Sequence, residues 1–190
     1  NTAVGHAALE ATTTGGENVA LGKSALATNI IGSRSVAIGR STLSLQNPAS
    51  ATNMHNVAIG HQAGGSITTG VENTLIGGEA GDALDVGATN VAVGKGAIGS
   101  DTKGSKAVAV GTGALSSQNF TSATDNYNVA VGYVAGSSIN TGVQNTLIGG
   151  LSGDALTTGG NNVAVGFATL TTSDTAANNT AVGYAALNAA

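Results

Sequence analysis

The chain has 190 residues, of which 30 are glycine and five aromatic, with one proline, no cysteine and no tryptophan. Charged residues make up 8% and the formal net charge is −4, so there is no basic stripe for nucleic acid and no charge density of the kind that keeps chains disordered. No apolar run approaches the roughly 18 residues of a membrane span, so no membrane insertion is expected. Without cysteine there is neither a disulfide framework nor a thiolate metal site.

Self-similarity dominates the sequence. A motif Asn-x-Ala-φ-Gly, with φ a Val, Ile or Leu, recurs eleven times and ends at Gly5, Gly22, Gly39, Gly60, Gly77, Gly94, Gly111, Gly132, Gly149, Gly166 and Gly183. The spacing is 17 residues eight times and 21 residues twice, and the whole pattern repeats every 72 residues. Thr69–Gly78, for example, returns almost unchanged as Thr141–Gly150. No linker interrupts the series, so residues 1–190 are expected to form one repeat array. The chain starts at Asn1 without a signal sequence, and is expected to be a fragment of a longer fibrous protein.

Each motif alternates like a strand. In Asn90-Val91-Ala92-Val93-Gly94 the two valines share one face and Ala92 takes the other. A second short apolar stretch follows, as in Ser24-Ala25-Leu26, and is expected to form a second strand. Where its Leu becomes Gly64, Gly81, Gly136 or Gly153, an apolar residue appears three positions later, at Ile67, Leu84, Ile139 or Leu156. A repeat this short cannot bury an apolar face alone, so copies must stack. The predicted fold is an all-β parallel β-roll or β-solenoid of about eleven coils, a rod of about 50 Å. The β-branched residues are expected inside, and the first motif position, Asn in all copies but Ser35 and Ala107, is expected to stack as a ladder of amides along the axis. The Ala column then lies outside. Ala20, Ala37, Ala58, Ala92, Ala109, Ala130 and Ala164 either fill a thin interior or, as expected here, contact another copy of the chain in a closed rotational assembly.

Ser35-Val36-Ala37-Ile38-Gly39, Asn56-Val57-Ala58-Ile59-Gly60 and Asn162-Val163-Ala164-Val165-Gly166 resemble the YadA-like head repeats of trimeric autotransporter adhesins and the related repeats of bacteriophage tail fibres. The resemblance covers the whole chain. It implies a left-handed roll assembled as a homotrimer, at a cell or virion surface, working as an extracellular fibre or adhesin segment that spaces or presents receptor-binding surfaces. The alternative is a monomeric solenoid that binds glycan or ice.

Nothing nominates a catalytic centre. His6 and His61 hold the same place three coils apart, roughly 14 Å, too far to share a metal, and His55 lies in a loop. Asp82 and Asp154, in Gly-Asp-Ala-Leu, suit bonds to turn amides. No enzyme activity, cofactor or metal is expected. Contact surfaces are easier to place. The residue after each motif Gly forms one longitudinal edge, with His6, Lys23, Arg40 and His61 towards the start and Tyr133, Phe167 and Tyr184 towards the end. That edge is either simply solvated or a contact for a cell-surface glycan or protein receptor. The extra residues of the two long coils bring Pro48, Met54, His55, Phe120 and Tyr127, which serve as receptor contacts or as spacers between subunits. Thr pairs at Thr13-Thr14, Thr68-Thr69 and Thr157-Thr158 align as an ice-binding array would, but Ile30-Ile31 and Asp85-Val86 interrupt them.

Overall fold

The computed structural model describes residues 1–172 and 174–188. Its strands are β1 (Thr2–Val4), β2 (Val19–Leu21), β3 (Val36–Ile38), β4 (Val57–Ile59), β5 (Thr74–Ile76), β6 (Val91–Val93), β7 (Gly104–Ser105), β8 (Val108–Val110), β9 (Thr124–Asp125), β10 (Val129–Val131), β11 (Thr146–Ile148), β12 (Val163–Val165) and β13 (Thr180–Val182). All but β7 and β9 form one 11-stranded sheet in chain order, every pair parallel. The register never slips: Ala20 pairs with Ala37, Ala37 with Ala58, and Ala92 with Ala109. The chain is therefore a parallel β-solenoid of about eleven turns.

Three residues make a short strand, and the backbone extends the ladder at both ends. Val19 N–H donates to Ser35 O at 2.9 Å, and Gly22 N–H donates to Val4 O at 2.8 Å. Beyond the motif glycine the chain turns sharply. Gly5 has φ of +134°, and a Cβ there would lie 2.6 Å from the carbonyl oxygen of Gly22, so the turn requires glycine on both grounds.

Among the described residues the expected second strand is absent. Its place is taken by a turn in which residues two and four after the motif glycine sit in the left-handed region, as Ser24 (φ 58°) and Leu26 (φ 51°) do, and Ser41 (φ 55°) and Leu43 (φ 48°) one coil on. Such a conformation costs an L-residue roughly 1–2 kcal/mol. Stacking offsets that: Leu26 N–H donates to Thr42 O at 3.1 Å and Leu43 N–H to Ala63 O at 3.1 Å. Other than the main sheet, pairing is limited among the described residues to β7 with β9 and a bridge between Ser33 and Asn53.

The interior is the reverse of the expected one. Ala20, Ala37, Ala58, Ala92, Ala109, Ala130 and Ala164 are all fully buried within a single chain, so they are core and not a surface through which copies touch. The β-branched ladder points outward: Val19, Ile59, Ile148 and Val163 are exposed. The coil is too thin for two bulky rows. Small Ala on the sheet faces Ala25, Leu26 and their equivalents on the opposite wall, and a valine in the Ala position would overfill that gap.

Two local substitutions obey the same volume rule. Leu75 and Leu147 replace the motif Ala, and each is flanked by glycines on the far wall. A Cβ at Gly64 would lie 2.8 Å from Leu75 Cδ1, and one at Gly81 would lie 2.9 Å from Leu75 Cδ2; Gly136 and Gly153 crowd Leu147 in the same way. The side-chain volume has moved from one wall to the other.

Asn at the head of the motif is a clamp between coils. Asn73 Oδ1 accepts from Asn90 N–H at 3.0 Å, and its Nδ2 donates to Gly87 O at 2.9 Å. Asn56, Asn90, Asn128 and Asn145 repeat this pair of bonds. Amide-to-amide bonds add to it, as from Asn162 Nδ2 to Asn145 Oδ1 at 3.0 Å. Ser35 and Ala107 cannot act so, and each is followed by a 21-residue coil bearing a buried glutamine. Gln46 Oε1 accepts from Ser35 Oγ and Asn56 Nδ2, and Gln118 Oε1 accepts from Asn128 Nδ2 at 2.8 Å. Each glutamine also meets the side chain one coil before it, Asn29 or the fully buried Asp101. Asp101 is satisfied by the N–H groups of Gly104 and Phe120 and by Gln118 Nε2.

Candidate functional site

Among the described residues there is no pocket and no trio of His, Asp or Glu placed to hold a metal ion. The surfaces available for contact are the flat sheet face, the edge after the motif glycines, and the two long loops.

The sheet face follows from strand parity. With Asn and Ala inward, the first and third residues of each strand point out. In the main sheet these are 22 positions, of which 18 are Val, Ile or Leu and four are Thr (Thr2, Thr74, Thr146 and Thr180), with no charge among them. At the strand spacing of about 4.8 Å this apolar strip runs about 50 Å. Sequence reasoning missed it by assigning the Ala row to the outside; the Asn ladder, two residues from each Ala and on the same side of the strand, is buried with it.

The long loops turn their bulky residues inward. Pro48 and Met54 are buried against Gly32, and Phe120 is buried against Gly104. These three expected receptor contacts are therefore structural plugs over the stretched coils. His55 and Tyr127 remain exposed. Tyr127 belongs to a surface cluster: Lys106 Nζ lies 2.5 Å from Asp125 Oδ2, donates to Tyr127 Oη at 3.3 Å, and sits 5.2 Å from the Tyr127 ring centroid. The Asp125 carboxylate, and after it the Tyr127 hydroxyl, hold the ammonium above the usual lysine value.

The edge is as expected. Tyr133, Phe167 and Tyr184 are 64%, 51% and 82% exposed, and the last two rings stack with centroids 5.9 Å apart and planes 11° apart. His6, Lys23, Arg40, His61 and Lys95 occupy the same exposed edge nearer the start.

The backbone amides of Asp82 and Ala83, and of Asp154 and Ala155, favour the charged form of the carboxyl beside them. Burial pushes both carboxyls above the ordinary value, more than those amides lower them, and at Asp82 the charge of Glu79 adds to the rise. Asp154 Oδ1 is buried without a partner.

One threonine of each aligned pair holds coils together, while Thr14, Thr69 and Thr158 are exposed. Thr68 Oγ1 bonds the Asp85 carboxylate, Thr102 Oγ1 bonds Asn119 Oδ1 and Phe120 O, and Thr157 Oγ1 donates to Asp174 O at 2.9 Å. These hydroxyls are bound to the next coil, so any free hydroxyl array for ice is reduced to the second threonine of each pair.

Comparison with family models, with curated proteins and with solved structures gives no match in any of the three.

Proposed function

We propose that this solenoid is a structural segment of an extracellular fibre or adhesin, on a bacterial or virion surface, that assembles as a homotrimer and spaces or presents receptor-binding surfaces. One observation carries the reading: the uncharged, β-branched outer face of the sheet. A flat apolar strip about 50 Å long is a poor solvent surface and a good contact between identical rods, and it is longer than the scattered apolar residues a monomer tolerates. Identical chains meeting through one face along parallel axes close into a ring of low order. The interface assigned here is the Val/Ile row. No catalytic role is proposed.

Sedimentation equilibrium tests this. The proposal predicts three times the chain mass of 18.1 kDa, and predicts that Val110→Lys, an outward change, yields a folded monomer. A parent chain that sediments as an 18.1 kDa monomer contradicts it, as does a lysine variant that stays trimeric.

A further inference from the structure

We infer that the aromatic end of the edge is a carbohydrate site, in which Tyr133, Phe167 and Tyr184 take the apolar face of a neutral pyranose. The inference needs only one chain and does not rest on trimer assembly. These three rings are most of the five aromatics in the protein, all are well exposed, and none is needed to fill the core. No residue of this end of the edge (Thr112, Tyr133, Gly150, Phe167, Tyr184) is charged.

Gly150 gives the array its shape. It occupies the rung between Tyr133 and Phe167, two coils or about 10 Å apart, and leaves backbone where a side chain would otherwise stand. A Cβ at Gly150 would lie in van der Waals contact with the Phe167 ring at 3.4 Å, so that ring leans over the glycine rung. The result is a shallow notch, too slight to form a pocket, with backbone at its floor, the Phe167 ring leaning over it, Tyr133 on the preceding rung and the stacked Phe167–Tyr184 pair continuing the row.

The chemistry of the surface selects the occupant. A continuous apolar partner matches the sheet face far better, because on the edge the rings are separated by polar backbone. A pyranose offers a small patch of axial C–H groups, which packs on an aromatic face, within a rim of hydroxyls. The hydroxyls of Tyr133 and Tyr184 and the backbone of the notch can bond that rim. The 72-residue repeat supplies an internal control. The equivalent rung is Gly78, with nothing within 4 Å of its Cβ position, flanked by His61 and Lys95 instead of rings. A neutral sugar should pass over that notch.

The test is an array of neutral and acidic oligosaccharides (glucose, galactose, mannose, N-acetylglucosamine and uronic acid series) probed with the intact protein, followed by calorimetry on the best neutral binder. We expect binding of a neutral oligosaccharide. Phe167→Ala and Tyr133→Ala should each weaken it by roughly tenfold, the loss of about one ring contact, and Lys95→Ala should leave it unchanged. Sedimentation of the same variants should give the parent mass. Binding of no neutral sugar overturns the inference, as does binding that the ring variants leave intact. So does a fall in assembly mass in Phe167→Ala or Tyr184→Ala, which would assign the rings to contact between chains. A parent that is monomeric yet binds sugar through these rings would remove the trimer and leave this site standing.

Discussion

Residues 39–110 and 111–182 are two versions of the same object: they share one frame of leucines, glycines and buried amides, and differ at small buried positions such as Thr42/Ala114 and Ala97/Thr169, in the loops and along the outer edge. Inside, Gly64, Ile67, Leu75, Gly81, Leu84 and Gln46 have as counterparts Gly136, Ile139, Leu147, Gly153, Leu156 and Gln118. Outside, His61 and Lys95 become Tyr133 and Phe167, and His55 becomes Tyr127. The large apolar side chains of the interior change place only in correlated steps, because each coil is packed by the coils on either side, while small buried positions vary, as Ala80 and Ser152 or Ala97 and Thr169 do. The edge touches nothing that must repeat. Difference in contact chemistry between the halves is therefore concentrated there.

The largest test of that view is to empty the wall-to-wall contact. Leu75→Ala and Leu147→Ala should each destabilise by about 2–5 kcal/mol, by similar amounts in thermal or urea unfolding, because glycines flank both leucines and nothing collapses into the space. Markedly unequal losses would show that the two interiors are not equivalent. The loop plugs come next. Phe120→Ala should cost about 3 kcal/mol or more and leave sugar binding unchanged, since the ring is internal; loss of a ligand without loss of stability would return Phe120 to the surface. Breaking the amide clamp is smaller. Asn73→Ala and Asn145→Ala each leave a backbone N–H and a carbonyl without their partners, a loss of about 1–3 kcal/mol per buried group, again nearly equal between the halves by denaturant midpoint.

The smallest effect distinguishes the halves by charge. Asp82 and Asp154 both titrate higher folded than unfolded. Protonation thus favours the folded chain, and this contribution is full below the unfolded value and lost as the pH rises through the folded one. Asp82→Asn and Asp154→Asn should each raise the melting temperature slightly near neutral pH and lose that advantage in acid. Glu79, whose counterpart is Leu151, adds to the rise at Asp82 alone. Glu79→Leu should therefore make the pH dependence at Asp82 resemble that at Asp154; if the melting curves of this variant track the parent at every pH, Glu79 has no such role.

The coil count, the parallel stacking, the register and the exposed aromatic edge were legible in the sequence because they depend only on period. Facing was not. Alternation divides Val91 and Val93 from Ala92 but does not say which set is inside, and hydrophobicity favours the wrong choice. Asn90, two residues from Ala92 and bound to Ala107 N–H and Gly104 O, points the other way. The second strand was misassigned for a different reason. Ala25-Leu26 has strand-compatible composition, and the left-handed Leu26 is held by a bond from the neighbouring coil that no local pattern encodes. Pro48, Met54 and Phe120 looked like exposed loop decoration, but a longer coil uncovers Gly32 and Gly104, and those residues close over them.

Facing is also the point most open to direct measurement, because the chain has no native cysteine. Ala109→Cys and Val110→Cys place one thiol on either side of the same strand, to be challenged in the folded protein with a maleimide and with a mild oxidant. The thiol at 109 should resist the maleimide until the chain unfolds, and the thiol at 110 should react or cross-link to another copy. A reactive thiol at 109 beside a protected, uncross-linked thiol at 110 would place the valines inside and contradict both the packing and the interface described above.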